Sequence, residues 1–348
     1  MTSTITDVAR RARVSVATVS RVINGNYPVA EPTRARVVEA ARDLGYVANA
    51  HARALIKSTS GTIGVILHDV SDPYFAEIVS GIQEVADRND RLVLLCSSMR
   101  DPAREITYIE LLRAERVDAV IIASGYVQDD RFLVALQEQA RGLRAQGGRL
   151  IVCGAYPIRA QALVPDNAGG AFRITTHLLE NGHRRIAHLT GPTSFSTTDE
   201  RLSGYRGALS SFGVNLDPEL VVTGDFSRDG AYRSCIQLID SGVGFSAIFA
   251  ANDIMAIGAL SALRDRGLQV PLDVSLVGFD DIPISRDLTP ALTTVAIPMA
   301  QMGRRAMEIA LDAQSELGLR ESVPATLAIR DSVAQVGDAR RASGVGGR

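Results

Sequence analysis

Residues 5–24 read ITDVARRARVSVATVSRVIN, and their spacing predicts two short helices joined by a tight turn. Residues 7–13 are rich in helix formers, and Val8 and Ala12 share a face at i, i+4 spacing. Val14 and Ser15 break that run, and the Ser15 hydroxyl suits the N-cap of a second helix. In that helix Val19, Val22 and Ile23 turn inward, while Val16, Ala17, Ser20, Arg21 and Asn24 turn out. Such a pair suits a helix-turn-helix, whose second helix enters the DNA major groove. Spacing alone leaves an ordinary packed helix pair equally open.

The literal string is more specific. T-D-V-A-x-x-A-x-V-S-x-x-T-V-S-R-V-x-N, starting at Thr6, resembles the lac repressor (LacI/GalR) family of bacterial transcription regulators. Thr33-Arg34-Ala35-Arg36-Val37, Leu44-Gly45-Tyr46 and Ala52-Arg53-Ala54-Leu55 follow in family order. Matches continue to about residue 335, so the resemblance spans nearly the whole chain. Three departures stand out: Arg13 where the family usually has Gly, Ala48 where Pro is usual, and Ala54 where Ser is frequent.

The resemblance implies a sequence-specific DNA-binding regulator, a repressor that works as a homodimer on a pseudo-palindromic double-stranded operator. Within the headpiece, Val16, Ala17 and Arg21 face base edges. Thr6, Thr18, Ser20, Asn24 and Arg34 are candidates for phosphate contacts. Because Val16 and Ala17 offer only methyl contacts, Arg21 carries most of the polar discrimination expected. Residues 49–57 are too short to be a stable helix alone. By resemblance they form a hinge helix that orders on DNA and wedges Leu55 into the minor groove.

Composition fits. The net charge of −2 conceals nine Lys+Arg against four Asp+Glu in residues 1–58, net +5, which leaves −7 for the remainder. A basic head on an acidic body suits a polyanion held at one end. Cys96, Cys153 and Cys235 are scattered and odd in number, which reads as buried thiols in a reducing cytosol. No signal peptide and no run of 18 apolar residues is legible, so a cytoplasmic protein without a membrane partner is expected.

A third helix is expected over 31–44, with Val37, Ala41 and Leu44 as its inner stripe. From Thr62 short β-branched runs alternate with amphipathic helices. Strands are expected at 63–67, 92–96, 119–123, 150–153, 186–189, 220–223, 247–250 and 274–279. The fold class that follows is a small all-α helix-turn-helix headpiece plus an α/β, periplasmic-binding-protein-like core of two Rossmann-like subdomains. The expected domains are 1–57 for the headpiece, 58–61 for a linker and 62–337 for the effector-binding and dimerisation core. By resemblance the chain crosses between subdomains three times, giving 62–160 with 291–323, and 161–290 with 324–337. Residues 338–348 read as a disordered tail without leucine heptads.

Ligands of open α/β sheets bind at the carboxyl ends of the strands. Those ends hold Asp72, Tyr74, Phe75, Phe195, Arg201, Phe226, Asn252 and Asp280, which resemble the family's effector cleft. Tyr74 and Phe75 suit stacking on an apolar ring face, with Phe195 and Phe226 closing the other side. Arg201 suits forked hydrogen bonds, and Asp280 accepts from paired hydroxyls. His68 stands where the family often has Pro, and Asp72 where it often has Asn. The effector expected is a small molecule, a carbohydrate or a derivative of one. A purine or other metabolite, or a sugar transport receptor of the same core fold, stays as the alternative.

Two other signals lead nowhere. The G-x-G-x-x-A run at 242–247 precedes a strand instead of following one, and reads as a turn. His177, His183 and His188 lack ligand spacing, so no metal or cofactor is expected. No nucleophile elbow or phosphate loop points to an enzyme.

Overall fold

The computed structural model describes residues 3–24, 27–46, 60–312 and 314–336. The expected hinge helix 49–57 with Leu55, and the tail 338–348, lie outside the described residues.

The headpiece has three helices, α1 (Ile5–Ala12), α2 (Val16–Asn24) and α3 (Glu31–Asp43). Thr4 and Asp7 form a reciprocal capping box at the start of α1. Ser15 Oγ accepts from the Thr18 amide at 3.1 Å, which starts α2 as the sequence suggests. Between them Arg13 ends α1 at φ 54° and ψ 48°. A left-handed residue is what the turn requires, and here an arginine supplies it at some steric cost. Val8, Ala12, Val19, Val22 and Val37 close a small core. On α3 the buried partner of Val37 is Ala40, whereas Ala41 and Leu44 are only half-buried, because the helix packs on α1 and α2 together.

Beyond the headpiece two parallel sheets stand in separate lobes. The first has six strands, ordered Arg320–Val323 (β11), Gln161–Pro165 (β5), Arg149–Cys153 (β4), Ala119–Ile122 (β3), Thr62–Leu67 (β1) and Leu92–Ser97 (β2). The second has four: Val221–Thr223 (β7), Ile186–Thr190 (β6), Ala247–Ala250 (β8) and Ser275–Val277 (β9). An antiparallel pair, Thr294–Ala296 (β10) with Thr326–Ala328 (β12), completes the strands.

The crossings expected near 160 and 290 fall further along the chain. β5 pairs with β4 and β11, so residues 161–165 stay in the first lobe. Residues 293–296 bridge to Val277 and Asp280, so they stay with the second. Both segments are short and pair across large sequence separations, which local periodicity does not reveal. Helix Met299–Leu311 then returns to the first lobe against Pro73–Arg88. Their backbones nearly touch: a Cβ on Gly81 would lie 2.0 Å from Ala300 O, and one on Gly303 would lie 2.0 Å from Ile78 O. No larger residue fits at either position.

Candidate functional site

On the headpiece Arg21 and Ala17 are exposed, and Val16 is 42% exposed. The Arg21 guanidinium sits 5.5 Å from the Tyr27 ring centroid. Thr6 is exposed, Thr18 and Ser20 are half-buried, and Asn24 closes α2. Half-buried Arg34 lies 3.9 Å from Glu31. The structure thus brings Val16, Ala17 and Arg21 to the outer side of α2, while Val19 and Val22 pack inward.

Between the lobes lies a cleft of about 650 Å³. All eight residues read from the strand ends line it: Asp72, Tyr74, Phe75, Phe195, Arg201, Phe226, Asn252 and Asp280. Asp72 caps helix Pro73–Arg88 by accepting from Tyr74 N at 3.0 Å, which aims the following aromatics at the cleft. Asn252 caps helix Asp253–Asp265 in the same way, at 2.9 Å from Met255 N. Phe195 meets Phe226 edge-on at 6.2 Å. Phe226 holds φ at 62°, and its ring lies against Gly191, where no side chain fits.

Arg201 is the hub. Its Nε donates to Asn167 Oδ1 at 3.1 Å and its Nη2 to Asp280 Oδ1 at 3.0 Å. Nη1 donates to the Ala251 carbonyl, and the guanidinium lies 3.8 Å from the Phe279 ring centroid. Asn167 in turn donates to Glu200 at 2.7 Å. Burial pushes the Asp280 carboxyl upward, and the Arg201 guanidinium beside it pulls the other way and favours the charged form. Burial also raises Asp72 and Glu200, and raises the Tyr74 hydroxyl.

Lining residues that the sequence reading did not assign to the ligand include His68, Arg100, Ser124, Asn167 and Glu200. His68, Arg100 and Ser124 follow strands β1, β2 and β3 by one to three residues, so the strand-end rule reaches them if applied to every strand. Glu200 enters beside Arg201 on helix Ser196–Ser211, in the connection that follows β6. Asp166, Asp225 and Asp281, also at strand ends, pair with Arg173, Arg233 and Arg330. His183 bonds Ser246 and the Ala334 carbonyl, and His188 stacks on Phe249 at 4.4 Å, which are structural roles.

The two lobes are also fastened at the rim. Val127 and Phe195 form an antiparallel bridge. Gln128 N donates to Ser194 O at 2.8 Å, Ser196 N to Tyr126 O at 3.1 Å, and Gln128 Nε2 to Asp199 at 2.9 Å. Ligand chemistry and lobe angle therefore share one seam.

A helix-turn-helix ahead of a two-lobed, ligand-sized cleft is matched by known proteins at both ends. Residues 4–49 match the model for bacterial regulatory proteins of the lacI family, and residues 175–333 match a periplasmic binding protein-like domain. The transcriptional regulator GalR of Escherichia coli K12 is 36% identical over 310 residues, covering 89% of this chain and 88% of GalR. The chain belongs to the lacI family of bacterial regulatory proteins. Among solved structures, the lac repressor dimer bound to operator superposes with a TM-score of 0.84 at 28% identity, covering 96% of this chain and all of that one. The regulator CelR in complex with cellobiose gives 0.69 at 31%, covering 95% and 99%. This lacI-family member is accordingly a transcription regulator with the headpiece and core of its relatives.

Proposed function

We propose that the protein is a homodimeric repressor that binds a pseudo-palindromic operator and releases or tightens on it when a neutral carbohydrate fills the interlobe cleft. It acts by binding, without catalysis, in the cytoplasm where operator DNA lies. On each half-site Val16, Ala17 and Arg21 read base edges, and Thr6, Thr18, Ser20, Asn24 and Arg34 position the helix on phosphates. Leu55, outside the described residues, enters the central minor-groove step. Residues 1–57 form the headpiece with its hinge at 49–57, and residues 62–337 the regulatory core.

One observation carries the reading. Aromatic rings from both lobes and a dense set of hydrogen-bonding groups enclose the same cleft, whose rim also fastens the lobes. Rings that face apolar patches and polar groups that meet hydroxyls are what a sugar needs. The cellobiose complex of CelR supports the ligand class, and the operator complex of the lac repressor dimer supports the partner. A dimer is further supported by the edge strand of the first sheet, where Leu92 and Leu95 are exposed beside Val70 and Met99.

The test is operator affinity measured with and without a panel of mono- and disaccharides, with nucleosides included for the alternative class. A change of fivefold or more with a sugar is expected, and by linkage DNA shifts sugar affinity by the same factor. A response confined to nucleosides would replace the carbohydrate reading.

A further inference from the structure

Three arginines of the headpiece are held by carboxylates. Arg10 lies 3.3 Å from Asp7, Arg11 3.1 Å from Asp43 and Arg34 3.9 Å from Glu31. Among the described residues Arg21 pairs with no carboxylate. Its guanidinium carbon stands over the Tyr27 ring instead, 5.5 Å from the centroid. Tyr27 is 64% exposed, and no other large hydrophobic side chain among the described residues is as open to solvent.

Local chain chemistry holds that ring in place. Pro28 follows it and disfavours helical backbone at Tyr27. Val29 packs on the headpiece core and tethers the segment. A ring and a carboxylate leave different things free on an arginine. A carboxylate occupies the N–H fork of the guanidinium, whereas a ring attracts the charge as a whole and leaves the fork to bond elsewhere. Guanine needs that fork, because its O6 and N7 accept two hydrogen bonds side by side in the plane of the base pair. A side chain already confined against a ring also has less rotamer freedom to lose when DNA arrives.

We infer that Tyr27 is a positioning residue for Arg21: its ring holds the guanidinium ready for one guanine per half-site and so sharpens operator choice. This rests on the reading of Arg21 as the base reader of α2. Tyr27 acts through the arginine, so its contribution exists only where Arg21 is present. It carries no charge, so it adds nothing to the salt dependence of binding. A cation–π contact at an exposed site shifts an equilibrium about twofold to fivefold. Two headpieces act on each operator, which makes about fivefold to thirtyfold for the dimer.

The experiment is a double-mutant cycle on the full chain, read by fluorescence anisotropy on the operator that wild type selects from random DNA. The proteins are wild type, Tyr27→Leu, Tyr27→Phe, Tyr27→Trp, Arg21→Ala and the Arg21→Ala, Tyr27→Leu double variant. Each is also titrated with operators carrying all four base pairs at the position where Arg21→Ala loses preference. Tyr27→Leu should bind the selected operator about fivefold to thirtyfold more weakly and discriminate less at that position, with an unchanged salt slope. Tyr27→Phe and Tyr27→Trp keep a ring and should stay within about threefold of wild type in affinity and preference. In the Arg21→Ala background Tyr27→Leu should change affinity less than twofold. Equal losses from Tyr27→Leu with and without Arg21 would overturn the inference, since Tyr27 would then touch DNA or support the fold by itself; so would wild-type affinity in Tyr27→Leu. Either result leaves Arg21 as a base reader. An Arg21→Ala protein that keeps wild-type preference at every position would overturn both together.

Discussion

Arg201 Nη2 donates to Asp280 Oδ1 at 3.0 Å, and each side chain is only 6% exposed. Both residues line the cleft, and the sequence reading assigned each to the ligand. In the fold they hold each other, and Arg201 also holds Asn167 and the Ala251 carbonyl. The pair ties helix Ser196–Ser211 to the end of β8 and to the loop after β9. Breaking a buried pair strands a charge, whereas replacing both partners does not.

Arg201→Ala should therefore destabilise the core by about 3–5 kcal/mol, and an Arg201→Met, Asp280→Leu double variant should recover much of it. Urea unfolding of the three proteins measures this. A single variant that unfolds at the wild-type midpoint would mean the pair contributes only to ligand binding.

Glu105 is 4% exposed in an apolar cluster with Ile109, Leu112 and Tyr156, and burial pushes its carboxyl up to about 8. The folded protein keeps this proton where the unfolded chain, near the usual 4.5, has lost it. Stability should then fall as pH rises from about 4.5 to 8, by up to a few kcal/mol from this group. Glu105→Gln removes that slope, so the variant gains on wild type progressively above pH 5. Parallel stability–pH curves for the two proteins would show that Glu105 is ionised in the fold.

Arg13 occupies the left-handed region at the headpiece turn. Glycine adopts that geometry without steric cost but loses more chain entropy on folding. Arg13→Gly should stabilise the headpiece by up to about 1 kcal/mol, and Arg13→Val should destabilise it by about as much. Amide exchange across residues 5–24 reads both effects. Protection lower in Arg13→Gly than in Arg13→Val would contradict the turn geometry.

Arg21 is exposed on α2 and close to the Tyr27 ring. Arg21→Ala should cost about 1–3 kcal/mol on the operator and relax preference at one base pair per half-site. Selection of binding sites from random DNA checks it. Sites recovered with wild-type stringency would remove Arg21 as a base reader.

Much of this protein follows from local order along the chain. The i, i+4 spacing of Val8 and Ala12, and the Ser15 hydroxyl ahead of α2, act within a few residues, so a linear reading reaches them. Strands β1, β3, β4 and β8 announce themselves as continuous apolar runs because both of their faces are covered. The rule that ligands sit at carboxyl strand ends led from those runs to Asp72, Asn252 and the cleft aromatics. Pairings that join distant segments were settled only by the tertiary structure. β5 and β11 meet across more than 150 residues, and Arg201 gathers Asn167, Ala251 and Asp280 from three separate connections. No periodicity encodes register between parallel strands, since packing of the whole sheet against its helices sets it.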